Sequence, residues 1–355
     1  MKRRKGERPY DAFLLVSFGG PEGKDEVMPF LDNVLRGKNV PLERKQVVAE
    51  HYWRFGGISP INQENRNLIA ALKPHVEQAG ARLPIYWGNR NWHPLLVDTV
   101  RQMAYDGVKK ALAFVTAAYG SYSSCRQYQE NILAACQAVG AQAPQIDKIR
   151  PFFNHPGFVE ANADNLSSAL TQMPSSKRED VQVVFTAHSI PQSMADGCPY
   201  VTQLLEACRL VAEAAGCPER WQLAYQSRSG LPSQPWLEPD ILDCIRSFKK
   251  KGGEDLVVCP IGFLSDHMEV VYDLDVEAKG LSTALGVNLI RTPTAGSHAR
   301  FIKMVQELIE ERLDPSLPRQ ALGSYGPYSE VCREDCCPIA QPTKVMKLPI
   351  LREKS

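Results

Sequence analysis

Val181-Gln182-Val183-Val184-Phe185-Thr186-Ala187-His188-Ser189-Ile190-Pro191 is apolar along most of its length. It stops at a histidine, and the proline three residues on bars simple continuation. An apolar run of strand length without strict polar alternation reads as a strand buried on both faces, the mark of a parallel sheet covered by helices. Residues 181–188 are the fifth of eight such runs; the others span 11–18, 85–89, 111–117, 146–152, 222–227, 256–263 and 287–292. Helical patterns over 68–78, 95–109, 201–215 and 239–250 lie between them. Strand–helix alternation predicts an α/β fold. Because the strands fall four and four, the expectation is two similar halves. Each is a four-stranded parallel sheet flanked by helices, and an extended C-terminal tail completes the chain. The expected bounds are 10–155 for the first half and 156–298 for the second. A helix over 299–313 is expected to pack back on the body. Beyond it, over 314–355, Pro, Gly, Ser and Tyr displace any periodicity.

Composition narrows the function. The 355 residues are 44% hydrophobic and 23% charged, which is ordinary globular usage. With 41 basic and 40 acidic residues the net charge is +1, so no global field favours nucleic acid, and none is expected as a partner. No apolar run reaches the ~18–20 residues of a membrane span, so stable membrane insertion is not expected. Lys2-Arg3-Arg4-Lys5 is basic but lacks the apolar segment of a signal peptide. Seven of the ten cysteines are scattered singly, as in a reduced cytoplasmic protein. These features point to a cytoplasmic chain, and the lack of a long apolar helical face makes a monomer the default.

In parallel sheets ligands sit beyond the carboxyl ends of the strands. His188 stands at such an end. The seventh run leads into Gly262-Phe263-Leu264-Ser265-Asp266-His267-Met268-Glu269, where a helix starts with Ser265 or Asp266 as the expected N-cap. Asp266, Glu269, Asp273 and Glu277 are spaced three, four and four, which lines four carboxylates along one helical face. Such a row is a solvated helix face when it stands alone, and a lone histidine is ordinarily a core residue. Two features argue for more. No Lys or Arg is interleaved before Lys279, and the row starts at the edge where His188 sits. A histidine facing carboxylates can bind a divalent cation as neutral imidazole or take up a proton near neutral pH. Hard oxygens with one imidazole suit labile binding of a first-row metal.

Three cysteines crowd near the end: Cys332, Cys336 and Cys337. Cys125 lies after the third strand, in a loop. Four thiolates make an iron–sulfur or a zinc site, and loose tail thiols are the plainer alternative.

Several stretches, taken in order, resemble the ferrochelatase family. They are Val16-Ser17-Phe18-Gly19-Gly20-Pro21, His51-Tyr52 with Gly56-Gly57-Ile58-Ser59-Pro60, and Asn91-Trp92-His93-Pro94. They continue with Phe185 to Pro191, Tyr225-Gln226-Ser227 with Pro235-Trp236-Leu237, and Gly262 to Glu269 with Tyr272-Asp273-Leu274-Asp275. The resemblance runs from about residue 11 to residue 313. It implies two Rossmann-like, chelatase-type halves with a porphyrin in the cleft between them, and insertion of ferrous iron, the metal substrate, in haem synthesis. It implies that His188 is the catalytic histidine and Glu269 its carboxylate partner, and that both join Asp273 and Glu277 along a metal or proton route. Asp273 replaces the glutamate common at that position, and Phe18 stands where some members carry a tyrosine. The resemblance also implies a 2Fe–2S cluster on Cys125, Cys332, Cys336 and Cys337.

Metal insertion releases two protons from the porphyrin, and a histidine–carboxylate pair can accept them. Phe18, Tyr122 and Trp236 are candidate walls for the macrocycle, and Arg54 and Arg126 candidate donors to its carboxylates. Tyr86 to Pro94 looks closest to actinobacterial-type members, which use coproporphyrin III, so that substrate is favoured over protoporphyrin IX. The competing readings are a cobalt or nickel chelatase for another tetrapyrrole, and a non-enzymatic haem or iron–sulfur carrier.

Overall fold

One strand forms at each of the eight apolar runs. They are β1 (Ala12–Ser17), β2 (Ile85–Asn89), β3 (Lys110–Val115), β4 (Gln145–Lys148), β5 (Gln182–His188), β6 (Trp221–Gln226), β7 (Asp255–Cys259) and β8 (Asn288–Arg291). This computed structural model describes residues 9–37, 40–79, 83–173, 180–230, 233–332 and 335–339. The strands form two four-stranded sheets ordered β2-β1-β3-β4 and β6-β5-β7-β8. Every pair is parallel, and the first strand of each half lies inside its sheet. The same topology twice over bears out two similar halves. β4 and β7 each stop four residues before the end of their apolar runs. Pro260 has no N–H to continue β7, and Pro151 does the same to the chain beyond β4.

The helices are α1 (Val27–Val34), α2 (Leu42–Arg54), α3 (Ile61–Gln78), α4 (Leu96–Tyr105), α5 (Gln127–Val139) and α6 (Pro156–Thr171). The second half adds α7 (Gln192–Ala195), α8 (Tyr200–Ala214), α9 (Ile241–Lys250), α10 (Met268–Val270), α11 (Lys279–Ala284) and α12 (Ala299–Leu313). Two π-helical segments, Tyr122–Arg126 and Val271–Ala278, interrupt this series. Hydrophobic periodicity alone does not reveal α2, because it buries only Ala49 and carries charges around its circumference.

A single hydrophobic cluster runs through both halves, joining Phe13, Phe114, Phe152 and Phe158 to Phe185, Val257 and Phe301. Phe114 and Phe152 stack at 5.2 Å between centroids. Smaller clusters cover the outer face of each sheet. After β8 the chain turns back, and α12 packs on α3 and α6. The segment beyond α12 is tied down by polar contacts. The Leu322 N–H donates to the Asn154 carbonyl at 2.8 Å, and Asn154 Nδ2 donates to the Gly326 carbonyl at 2.9 Å. Arg312 and Arg319 both pair with Glu330.

Candidate active site

β5 and β7 are neighbours, and the residues just beyond their carboxyl ends lie at one sheet edge. The Gly262 N–H donates to the Thr186 carbonyl at 3.0 Å. A Cβ on Gly262 would lie 2.6 Å from Ala187 Cα, so glycine lets this turn press against the end of β5. The next residues therefore run beside His188. Its Nε2 lies 3.5 Å from Glu269 Oε1, and its Nδ1 hydrogen-bonds the Ser189 carbonyl. Burial pushes the imidazole pKa down, but the Glu269 carboxylate, the Ser189 carbonyl and Asp273 outweigh it and raise the pKa to about 9.

Asp273 sits within Val271–Ala278, where π-type i→i+5 bonding widens the turn. The Ser227 hydroxyl donates to Asp273 Oδ2 at 2.5 Å, and Gln226 Nε2 reaches the same oxygen at 3.4 Å. Gln226 also donates to the Glu269 carbonyl at 2.8 Å and lies opposite His188 in the β5–β6 register. Ser227 holds φ at +62°, an unusual backbone state for serine, and in it its hydroxyl reaches the carboxylate. Burial raises the Asp273 pKa; Ser227 opposes this, the Glu269 and Glu277 charges add to it, and the result is about 7.

The carboxylate row differs from its expected form at both ends. Asp266 is held by Arg291 at 2.9 Å, and the same guanidinium holds Asp275 at 2.6 Å. The neutralising cation comes from β8, not from the helix itself. The N-cap is neither Ser265 nor Asp266 but His267, whose Nδ1 accepts the Glu269 N–H at 3.2 Å. Glu277 is exposed at the far end, and burial together with Asp240 raises its pKa.

The first half supplies the opposite wall. Phe18, Tyr52 and Trp92 cluster around Phe30, with Phe30–Tyr52 ring centroids 5.7 Å apart. The Tyr52 phenol is kept neutral by burial and by the nearby Glu269 and Asp273 charges. His51 on α2 stacks on Tyr272 of the π-helical segment, 3.7 Å between centroids at 9°, and so joins the two halves across the site. Trp236 bridges Pro191 just beyond His188, and its Nε1 is buried without a partner among the described residues. Arg54 is exposed in the last turn of α2.

Tyr122 and Arg126 belong to another neighbourhood. The Tyr122 hydroxyl and Arg126 Nε both donate to Glu130, each at 3.1 Å. Arg126 Nη1 donates to the Cys336 carbonyl at 3.3 Å. Around them the four cysteines meet. Cys125 and Cys332 share a hydrogen bond, Cys332 contacts Cys336, and the Cys336 and Cys337 sulfurs are 3.5 Å apart. None of the ten cysteines is in a disulfide. Among the described residues no three His, Cys, Asp or Glu side chains converge as ligands of a single ion. The thiols instead pack against one another.

Motif reading passed over the roles of Gln226 and Ser227, although their position at the carboxyl end of a strand was a signal. It had no means of finding Arg291, which meets Asp266 from another element.

The ferrochelatase family pattern matches residues 10–313. The chain belongs to the ferrochelatase family. It is 57% identical over 330 residues to a ferrochelatase of Rhodopirellula baltica, covering 93% of each chain. It is 47% identical over 355 residues to the coproporphyrin III ferrochelatase of Streptomyces coelicolor, covering 94% of this ferrochelatase-family chain and 95% of that one. Among solved structures, the cobalt-bound sirohydrochlorin chelatase SirB of Bacillus subtilis subspecies spizizenii shares the fold. Its TM-score is 0.52 at 12% identity, over 85% of this chain and 94% of that one.

Proposed function

We propose that this protein inserts ferrous iron into coproporphyrin III and releases two protons. The observation that carries this reading is the His188–Glu269 pair at 3.5 Å, with Asp273 behind it, at the joined carboxyl ends of β5 and β7. His188 and Glu269 act as the catalytic pair and, with Asp273 and Glu277, line the metal and proton route. At neutral pH the pair holds one proton, since the imidazole pKa is about 9. An approaching dication repels that proton. Asp273, poised near 7, passes it toward exposed Glu277, and the freed imidazole and carboxylate take the pyrrole protons in turn. Phe18, Tyr52 and Trp236 grip the macrocycle, and Arg54 at the rim meets a carboxylate. Tyr122 and Arg126 are kept as secondary candidates, since Glu130 and the tail already engage them.

The halves 10–155 and 156–298 are read as the two jaws, with 299–313 and the described part of the 314–355 tail tying them together; residues 333–334 and 340–355 of that tail lie outside the described residues. Cys125, Cys332, Cys336 and Cys337 fit a 2Fe–2S cluster: four thiols from the body and the tail in mutual contact, with a cation beside them. When bound, such a cluster supplies a one-electron centre and a cross-link between tail and body. Among the described residues no helix is long and apolar enough to cross a membrane. Together with ten free thiols, this fits a reducing cytoplasmic setting.

Anaerobic incubation with ferrous iron and either porphyrin, monitored by visible absorption, tests the activity. Metallation of coproporphyrin III well ahead of protoporphyrin IX is expected. Conversion of neither, or of cobalt or nickel alone, overturns the reading.

A further inference from the structure

We propose that Lys148 is the charge partner of the four-thiol site, donating to the Cys125 sulfur and so setting both the redox poise and the retention of the centre bound there. This inference rests on the cluster reading above. Lys148 is the last residue of β4, and its Nζ lies 2.8 Å from Cys125 Sγ and 3.4 Å from the Cys125 carbonyl. Cys125 is 5% exposed and Lys148 half-buried, so the contact is partly screened from water and salt. A small cavity lined by Ser124, Cys125, Lys148 and Phe152 adjoins it. Arg126, another basic group in the neighbourhood, donates to Glu130 at 3.1 Å and to the Cys336 carbonyl at 3.3 Å.

Two ferric ions, two sulfides and four thiolates carry a net double negative charge, and one-electron reduction adds a third. A half-buried ammonium donating to one ligand sulfur favours the more negative, reduced state and disfavours release of that ligand as a protonated thiol. The neighbouring strand offers an internal contrast. Lys110, on β3, has its ammonium on Asp147 at 3.1 Å, so it serves as a charge-loss control.

The experiment uses the full chain, purified anaerobically as wild type, Lys148→Met, Lys148→Arg and Lys110→Met. Iron and sulfide content are measured first, then a redox titration read by visible absorption, then the rate of bleaching by an iron chelator. Lys148→Met is expected to shift the reduced-to-oxidised ratio about tenfold toward oxidised, about 59 mV for one electron. It is also expected to bleach several-fold faster. Lys148→Arg should stay near wild type, and Lys110→Met should match wild type. If Lys148→Met will not fold, Lys148→Arg and Lys148→Gln carry the comparison, with near-wild-type and shifted potentials expected respectively. A wild type without iron and sulfide overturns the cluster reading and this inference with it. A wild type with a cluster whose potential and bleaching rate are unchanged in Lys148→Met overturns this inference alone.

Discussion

His188 and Asp273 both bind a proton more tightly in the folded state, one as a cation and the other as a neutral acid. The imidazole is raised to about 9 from 6.5, so its favourable contribution is full below pH 6.5 and is lost as pH rises through 9. Glu269→Gln removes the main source of that shift. Its melting temperature is expected to vary less between pH 6.5 and 9 than that of wild type. A wild-type pH dependence in the variant would show that Glu269 does not hold the proton. Asp273 is raised from 3.8 to about 7, so the folded chain binds that proton more tightly than the unfolded one, and stability falls as pH climbs through this window. Asp273→Asn keeps an acceptor for Ser227 and removes the buried charge. At pH 8 it should be more stable by on the order of 1 kcal/mol after solvent screening, yet metallate more slowly. A variant that gains stability and keeps full activity would remove Asp273 from the proton route. For the base itself, His188→Ala should cost roughly 10²–10⁴-fold in metallation rate while porphyrin binding, read by fluorescence quenching, persists.

At the scale of elements, the site depends on how closely the turn after β7 approaches β5. Gly262→Ala places a methyl group against the Ala187 backbone, one residue before His188. Overpacking of this kind costs about 1–3 kcal/mol. The expected result is a lowered melting temperature together with a larger loss in rate than stability alone explains, because His188 and Glu269 are moved relative to each other. An unchanged rate would show that the turn is merely a connector. The same place shows what sequence can and cannot reveal. The inner strands β1, β3, β5 and β7 were legible because strands buried on both faces are largely apolar, and β5 could be read to its end. That His188 and the carboxylate row share one edge was legible from the ends of β5 and β7, whereas Glu269 as its partner was what the family resemblance implied. The π-helical segment was not legible, since a spacing of four fits an α-helix equally well. Arg291 was not, because an ion pair between β8 and the 266–275 segment leaves no local pattern. Tyr122 and Arg126 were read from proximity to motifs, whereas their polar atoms answer to Glu130 and the tail.

At the scale of the whole molecule, the halves are joined by one core and by a polar clasp at the base of the tail. Arg150 and Glu311 form a pair at 2.9 Å with side chains only 1% and 5% exposed, and Arg150 Nη2 also donates to the Gln320 carbonyl at 2.8 Å. One guanidinium thus fixes the end of β4, α12 and the start of the tail. Breaking a buried pair from one side leaves the other charge stranded, which costs about 3–5 kcal/mol, whereas replacing both partners by neutral groups costs much less. Arg150→Met should therefore lower unfolding free energy by that amount in urea. The double substitution Arg150→Met with Glu311→Gln should recover most of it. Because the Gln320 carbonyl loses its donor in both variants, proteolysis within 314–330 should quicken in both, whatever the stability. A tail as resistant as wild type in the double variant would mean that the Asn154 and Glu330 contacts hold it without Arg150. Recovery of stability without recovery of tail protection would separate the two tasks of this one side chain.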